Sequence, residues 1–122
     1  MANTQKGYVA EGYDVVAYFK NEAIKGSKKL SYVYQKNTYL FVNESNLKAF
    51  KSSPTTYIPQ YGGWCAYAMA KDGSKVSINP KTFEIRDGKL YLFYNKLITN
   101  TYNSWIKEGA EELVKQANQN WK

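Results

Sequence analysis

The stretch "TFEIRDGKLYLFYN" (residues 82–95) decides the fold. Apolar and polar residues alternate on both sides of Asp87-Gly88, a dipeptide that suits a two-residue type I′ turn because both central positions of that turn need a positive φ. The turn fixes the register, pairing Arg86 with Lys89, Ile85 with Leu90 and Phe83 with Leu92. Phe83, Ile85, Leu90 and Leu92 then share one apolar face. A chain that opens a hairpin this clearly is expected to be built on antiparallel strands.

A second hairpin is expected in "KLSYVYQKNTYLFVN" (29–43), where Leu30, Tyr32 and Tyr34 lie on one side. Tyr39 and Phe41 follow a polar break at Gln35–Thr38, with Asn37 expected to take the left-handed conformation. "ESNLKAFKSSP" (44–54) has Leu47 and Phe50 at helical spacing, Asn43 or Ser45 as a cap, and Pro54 as a stop, which predicts a helix of about two turns. In "YNSWIKEGAEELVKQANQNW" (102–121), Trp105, Ile106, Ala110, Leu113, Val114, Ala117 and Trp121 recur at three- and four-residue steps, with Glu111 and Lys115 as a supporting pair. This predicts one amphipathic helix packed on the sheet, weakened locally at Gly109. Near the start, "EGYDVVAYF" (11–19) places Asp14 inside an apolar run, where it either caps a turn or faces a pocket. No repeat, low-complexity segment or long linker divides the chain. The expectation is a single α+β domain over residues 1–122, with a small antiparallel sheet of two hairpins, a short middle helix and a C-terminal helix.

Composition narrows the function classes. A chain of 122 residues buries roughly two-thirds of its unfolded surface and needs no metal or disulfide to fold. Its 12 tyrosines, 3 tryptophans and 5 phenylalanines favour strands and leave many hydroxyls in need of partners. The net charge of +7 comes from lysine, Arg86 being the lone arginine, so specific reading of nucleic acid is not expected. The absence of histidine removes serine–histidine and cysteine–histidine catalysis and ordinary zinc sites. A single cysteine excludes an intramolecular disulfide and any CxxC pair. No apolar run approaches the roughly 18 residues of a membrane helix, and no signal peptide stands at the start. The chain reads as a soluble mature domain in which Met1-Ala2 replaces a removed leader.

That cysteine lies in "YIPQYGGWCAYAMAKDGSKVSINP" (57–80). Gly62 and Gly63 can adopt backbone conformations closed to other residues or let another group come close. Read as a strand, the segment points Cys65, Tyr67 and Met69 one way; read as a helix, it keeps Cys65 and Met69 on one face at i and i+4. Thiol and thioether are neighbours either way, and such soft ligands suit Cu(I) rather than zinc. The same two residues are equally ordinary core fillers, methionine packing well against Trp64 and Tyr67.

The ordered blocks "EGYDVVAYF", "YLFVN" followed by a short helix, "SSPTTYIPQYGGWCAYAMA" and "INPKTFEIRDGKLYLFYN", with a terminal helix carrying Trp105 and Trp121, closely resemble the YHS-domain proteins. The match is to their small stand-alone bacterial branch and runs from about Gly12 to Trp121. The resemblance implies an exported protein, periplasmic or secreted. Some members carry selenocysteine where Cys65 stands, which implies redox or soft-metal chemistry at that position. Gly62 and Gly63 become the turn that presents the sulfur, and motif membership adds Asp14, Tyr18, Tyr61 and Tyr67 as neighbours. This chain lacks the histidine and the multi-cysteine signature of the transporter-linked members.

The expected function is therefore Cu(I) binding or handling by Cys65, with Met69 as second ligand and a partner protein or second subunit completing the site. One alternative makes Cys65 a redox thiol, oxidised by peroxide to a sulfenic acid and reduced by an external thiol. The other is a non-catalytic interaction module whose tyrosine-rich surface binds a peptide or carbohydrate while Cys65 is buried.

Overall fold

The computed structural model describes residues 1–121. Along the chain lie α1 (Val15–Tyr18), β1 (Ser27–Tyr34), β2 (Asn37–Phe41), α2 (Glu44–Ser52), α3 (Pro54–Tyr57), α4 (Ala66–Asp72), β3 (Asn79–Arg86), β4 (Lys89–Phe93), β5 (Asn95–Lys96), β6 (Thr99–Asn100), α5 (Thr101–Glu108) and α6 (Ala110–Asn120). The α+β class expected from the sequence holds. The strands form separate antiparallel two-stranded sheets rather than one continuous sheet.

The hairpin at 82–95 has the expected register, with Arg86 opposite Lys89, Ile85 opposite Leu90 and Phe83 opposite Leu92. Asp87 (φ 51°) and Gly88 (φ 73°) both take the left-handed backbone that the turn demands. In the first hairpin the turn falls one step earlier than its sequence suggests. Gln35 (φ 51°) and Lys36 (φ 70°) form it, while Asn37 already pairs with Tyr34. Packing decides this: the shift leaves Tyr39 and Phe41 on the core side, buried against Phe50.

Two further expectations are corrected. The C-terminal helix is two helices, because Gly109 sits at φ 104° and ψ 89°, a conformation that ends α5 and redirects the chain into α6. Ile106 consequently faces solvent, while Trp105, Ala110, Leu113 and Ala117 are buried. The ion pair on α6 joins Lys115 to Glu112, not Glu111.

The chain also contains a structural repeat that its sequence does not announce. Each half opens with a tight 3-10 turn of left-handed residues (Ala10, Glu11 and Gly12; Tyr61, Gly62 and Gly63). Each turn leads, one residue on, to an N-cap residue, Asp14 or Cys65. The cap's N–H donates to a carbonyl shortly before the hairpin, Ile24 for Asp14 and Val76 for Cys65. A strand of eight residues, a two-residue turn and a strand of five then follow in both halves. Both second strands end in Tyr-Leu-Phe, and an aromatic of the following helix lies on that Tyr and Phe: Phe50 on Tyr39 and Phe41, Trp105 on Tyr91 and Phe93. The halves join through Tyr18, which stacks on Phe83 and donates its hydroxyl to the Pro80 carbonyl, and through the Pro59–Leu90 bridge.

Asp14 ties the first half together. It is fully buried, and one carboxylate oxygen caps α1 by accepting from the Val16 and Ala17 N–H groups at 2.8 and 3.1 Å. The other accepts from the Val42 N–H at 2.9 Å and from Asn46 Nδ2 at 2.8 Å, and Asn46 Oδ1 in turn accepts from Lys20 Nζ. Four donors from three segments meet on one acceptor group. Asp14→Ala strands them all in the core, and urea unfolding should show a loss of about 3–5 kcal/mol. A loss below about 1 kcal/mol would show that the hub is dispensable.

Candidate functional site

Cys65 is fully buried at the N-cap of α4. Its sulfur accepts the Tyr94 N–H at 3.2 Å and lies 3.4 Å from the Thr101 hydroxyl. Thr101 Oγ1 itself donates to the Tyr94 carbonyl at 2.6 Å, so the hydroxyl is free to accept the S–H. The Tyr94 N–H, the Cys65 sulfur and the Thr101 hydroxyl thus form a closed ring of hydrogen bonds. The repeat gives the ring a meaning: Tyr94 follows Tyr-Leu-Phe as Val42 does, and its N–H meets Cys65 as that of Val42 meets Asp14. Cys65 therefore occupies in the second half the place that Asp14 holds in the first.

The segment after Cys65 is helical, which resolves the two readings of 65–69. Met69 is also fully buried, but it belongs to the buried cluster that holds Trp105, Phe93 and Leu113, whereas Cys65 belongs to the one that holds Val16, Phe41 and Leu92. Cys65 itself lies outside the helix as its cap (φ −57°, ψ 120°), its carbonyl accepting the Met69 N–H at 3.1 Å. For Cu(I) the donor set is thus two enclosed sulfurs with different surroundings, one of them already hydrogen-bonded. Among the described residues no group of three or more histidine, cysteine, aspartate or glutamate side chains gathers to add ligands. Cys65 and Met69 are thus two fully buried sulfurs, and that of Cys65 already takes part in hydrogen bonds.

The remaining expected residues do not converge on Cys65. Asp14 is the cap described above, and neither it nor Cys65 lines either of the two main pockets. Tyr18 borders a pocket of about 350 Å³ beside Phe83 and Glu84, its hydroxyl pKa raised by burial. There Glu84 is held by Arg86 at 2.9 and 3.0 Å and by the Trp105 indole N–H at 2.9 Å. Tyr67 lies at the surface, donating to Glu108 at 2.6 Å while Lys71 bridges to the same carboxylate at 3.0 Å. That hydrogen bond raises the Tyr67 pKa and lowers that of Glu108. Gly63 accepts from Asn3 Nδ2, which pins the N-terminal segment.

Tyr61 and Gly62 lead elsewhere, to the larger pocket of about 610 Å³. Its wall combines Tyr39, Tyr61 and Trp121 with Gln35, Asn37, Gln60 and Asn118, and none of the described residues that line it is charged. Asn118 Oδ1 accepts from the Tyr61 hydroxyl at 2.9 Å. Gln35 is exposed and Asn37 and Gln60 are half-buried, and none of the three makes a side-chain hydrogen bond among the described residues. Gly62 is required here: at φ 63°, a Cβ would stand 2.9 Å from Trp121 Cη2, so only glycine lets the indole close this wall. Burial pushes the Tyr39 pKa up to about 12, with Tyr34 adding to the rise, and raises that of Tyr61 further. Both phenols are therefore neutral hydroxyls at any physiological pH. The amides were not legible as a site because they come from a hairpin turn, a 3-10 turn and the last helix.

No helix among the described residues is long and apolar enough to cross a membrane. Comparisons of the chain with protein-family models, curated proteins and solved structures find no match.

Two outcomes are expected. Cys65 in the native protein should react with an aromatic disulfide reagent at least about a hundredfold more slowly than in urea, since a buried thiol reacts only when the fold opens. Fast native labelling would place the sulfur at the surface. The raised pKa values of Tyr18, Tyr39 and Tyr61 mean that the fold holds their neutral forms, whereas the unfolded chain ionises them near about 10. Stability from this source is complete below pH about 10 and falls as pH rises through about 12. Tyrosinate absorbance should rise in two stages, the later one coinciding with loss of circular dichroism; a single stage with the fold intact would contradict the assignment.

Proposed function

We propose that the chain is a non-catalytic binding module that takes a small, neutral, hydroxyl-rich ligand of the sugar class in the pocket between Tyr39, Tyr61 and Trp121. The observation that carries this reading is the lining itself, which brings together four amide-bearing residues and three aromatics with no charged residue among those described. Amides each offer a donor pair and an acceptor, which matches hydroxyls that both give and receive hydrogen bonds. Aromatic walls supply apolar area for the ring carbons, and the phenols of Tyr39 and Tyr61 stay neutral. A charged metabolite would enter with no counter-charge among the lining residues. The volume of about 610 Å³ lies within the range of small-molecule sites.

In this reading Cys65 is a packing thiol. The YHS-domain resemblance supports the competing proposal, an exported protein in which Cys65 is a copper ligand or redox sulfur, and the labelling experiment above separates the two. A working sulfur must meet its ion or oxidant, so it requires fast native reaction.

Titration calorimetry with glucose, N-acetylglucosamine and short oligosaccharides, alongside glucose 6-phosphate as a charged comparison, tests the pocket. Saturable binding of a neutral sugar is expected, weakened about tenfold in the double variant Gln60→Ala, Asn118→Ala through loss of two hydrogen bonds. Tight binding of the phosphate ester alone, or binding unchanged in the double variant, would overturn the proposal.

A further inference from the structure

The second half of the repeat carries an addition that the first half does without. After Tyr39-Leu40-Phe41 the chain passes through Val42 to Asn43, which caps α2 directly. After Tyr91-Leu92-Phe93 it passes through Tyr94 to Asn95, but α5 is capped five positions further on, by Asn100. The residues between form the small β5–β6 hairpin, in which Asn95 pairs with Asn100 and Lys96 with Thr99. Its turn is Leu97-Ile98. The same frame closes in the first half without it, so the hairpin is not required by the fold.

The turn breaks two local rules at once. Leu97 and Ile98 are 95% and 101% exposed, the two most exposed large hydrophobic residues among those described. Leu97 also has φ 57°, a conformation that favours glycine or asparagine and costs a leucine stability. An apolar, strained tip confers nothing on the isolated domain, and departures of this kind mark places where a sequence serves something other than its own folding. The base of the hairpin is rigid: Asn79 Nδ2 donates to the Asn95 carbonyl at 3.2 Å and Asn95 Nδ2 to Thr82 Oγ1 at 3.0 Å.

Charge selects the partner. Lys96 stands beside the tip, and Lys81, between the two residues that hold the hairpin base, is exposed as well. No acidic residue occurs from 79 to 83 or from 95 to 107, and the chain as a whole carries +7. We propose that the Leu97-Ile98 tip inserts into the interface of an anionic lipid bilayer, with Lys96 and Lys81 at the level of the headgroups. Two side chains at the end of a narrow hairpin suit a fluid apolar layer that closes around them, whereas a protein partner would need a pocket for each. The lysines supply attraction that neutral lipid lacks, and scattered lysines elsewhere on the surface add to it. None of residues 95–100 lines the sugar-class pocket, and the proposal stands apart from it.

Co-sedimentation of the full chain with vesicles of phosphatidylglycerol, of phosphatidylcholine and of their mixture tests the assignment. The protein should partition onto the anionic vesicles, weakly or not at all onto neutral ones, and less at high salt. The double variant Leu97→Asn, Ile98→Ser should lose about tenfold or more in partitioning, since it removes the inserted carbon, and Lys96→Glu should also weaken it. Folding is controlled within the same experiment. Leu97→Asn suits the left-handed backbone better than leucine does, so its Tm should equal or exceed that of the unchanged chain by about 3 °C while binding falls. Unchanged partitioning in the double variant, equal binding to neutral and anionic vesicles, or no binding to either would overturn the proposal. So would a concentration-dependent dimer that the double variant abolishes, which would make a second copy of the chain the partner.

Discussion

The buried carboxylate of Asp14 is the interaction on which the first half of the molecule depends. A short helix of four residues has almost no stability of its own, and α1 exists because its free N–H groups find an acceptor that is also bound to the strand end at Val42 and to α2 through Asn46. A carboxylate can play this part because it offers acceptor sites and no donor, so backbone N–H groups converge on it from several directions. With the cap fixed, Val15, Val16 and Tyr18 are aimed into the core, and Tyr18 carries the constraint across to Phe83 and Pro80 in the second half.

The second half has a sulfur at the same position, although it accepts no N–H of α4. Cys65 meets the strand end at Tyr94 and the following helix at Thr101, fewer and longer contacts than Asp14 makes. The difference follows from surroundings. Cys65 sits among apolar residues drawn from both halves, where a carboxylate with fewer donors would be costly and a thiol is not. What the second half lacks in hydrogen bonds it recovers by packing: α4 lies along α6, and Trp105 fills the space over Tyr91 and Phe93.

The legible parts of the sequence were those whose physics is local. Asp87-Gly88 needs only its own backbone preference to set a register, and Asn43 caps α2 through a bond to the residue three positions on. Asp14 was half legible, because a cap is a local device while Val42 and Asn46 reach it only through the fold. Gly109 was visible as a weak point, but whether glycine merely weakens a helix or ends it depends on where the next segment finds its apolar partners. The repeat was hidden because its halves share almost nothing but Tyr-Leu-Phe, and the residues at its centre, an acid and a thiol, have no chemistry in common until one sees that both accept an N–H from the same place. The site was the least legible part. A lone cysteine draws attention as a chemical rarity, whereas the pocket is made of common amides and aromatics that become a site only when three distant turns and helices are brought together.

Seen through the repeat, the molecule separates what the frame needs from what it has added. The caps, the paired strands and the aromatic of the following helix recur in both halves, and each recurrence has a structural task, which argues that Cys65 too belongs to the frame. The features without a counterpart are the wall contributed by Trp121 and Asn118, which follow the second half, and the Leu97-Ile98 hairpin, which interrupts it. Each comes with a local constraint: Trp121 packs against the buried cluster around Trp105 but requires a glycine at position 62 to fit, and Leu97 holds a backbone conformation that disfavours it. A constraint that costs stability where the frame is indifferent is better explained by binding than by folding. On that argument the two surfaces proposed for binding, the amide-lined pocket and the apolar tip, both lie on its additions, whereas Cys65 lies in its repeated core.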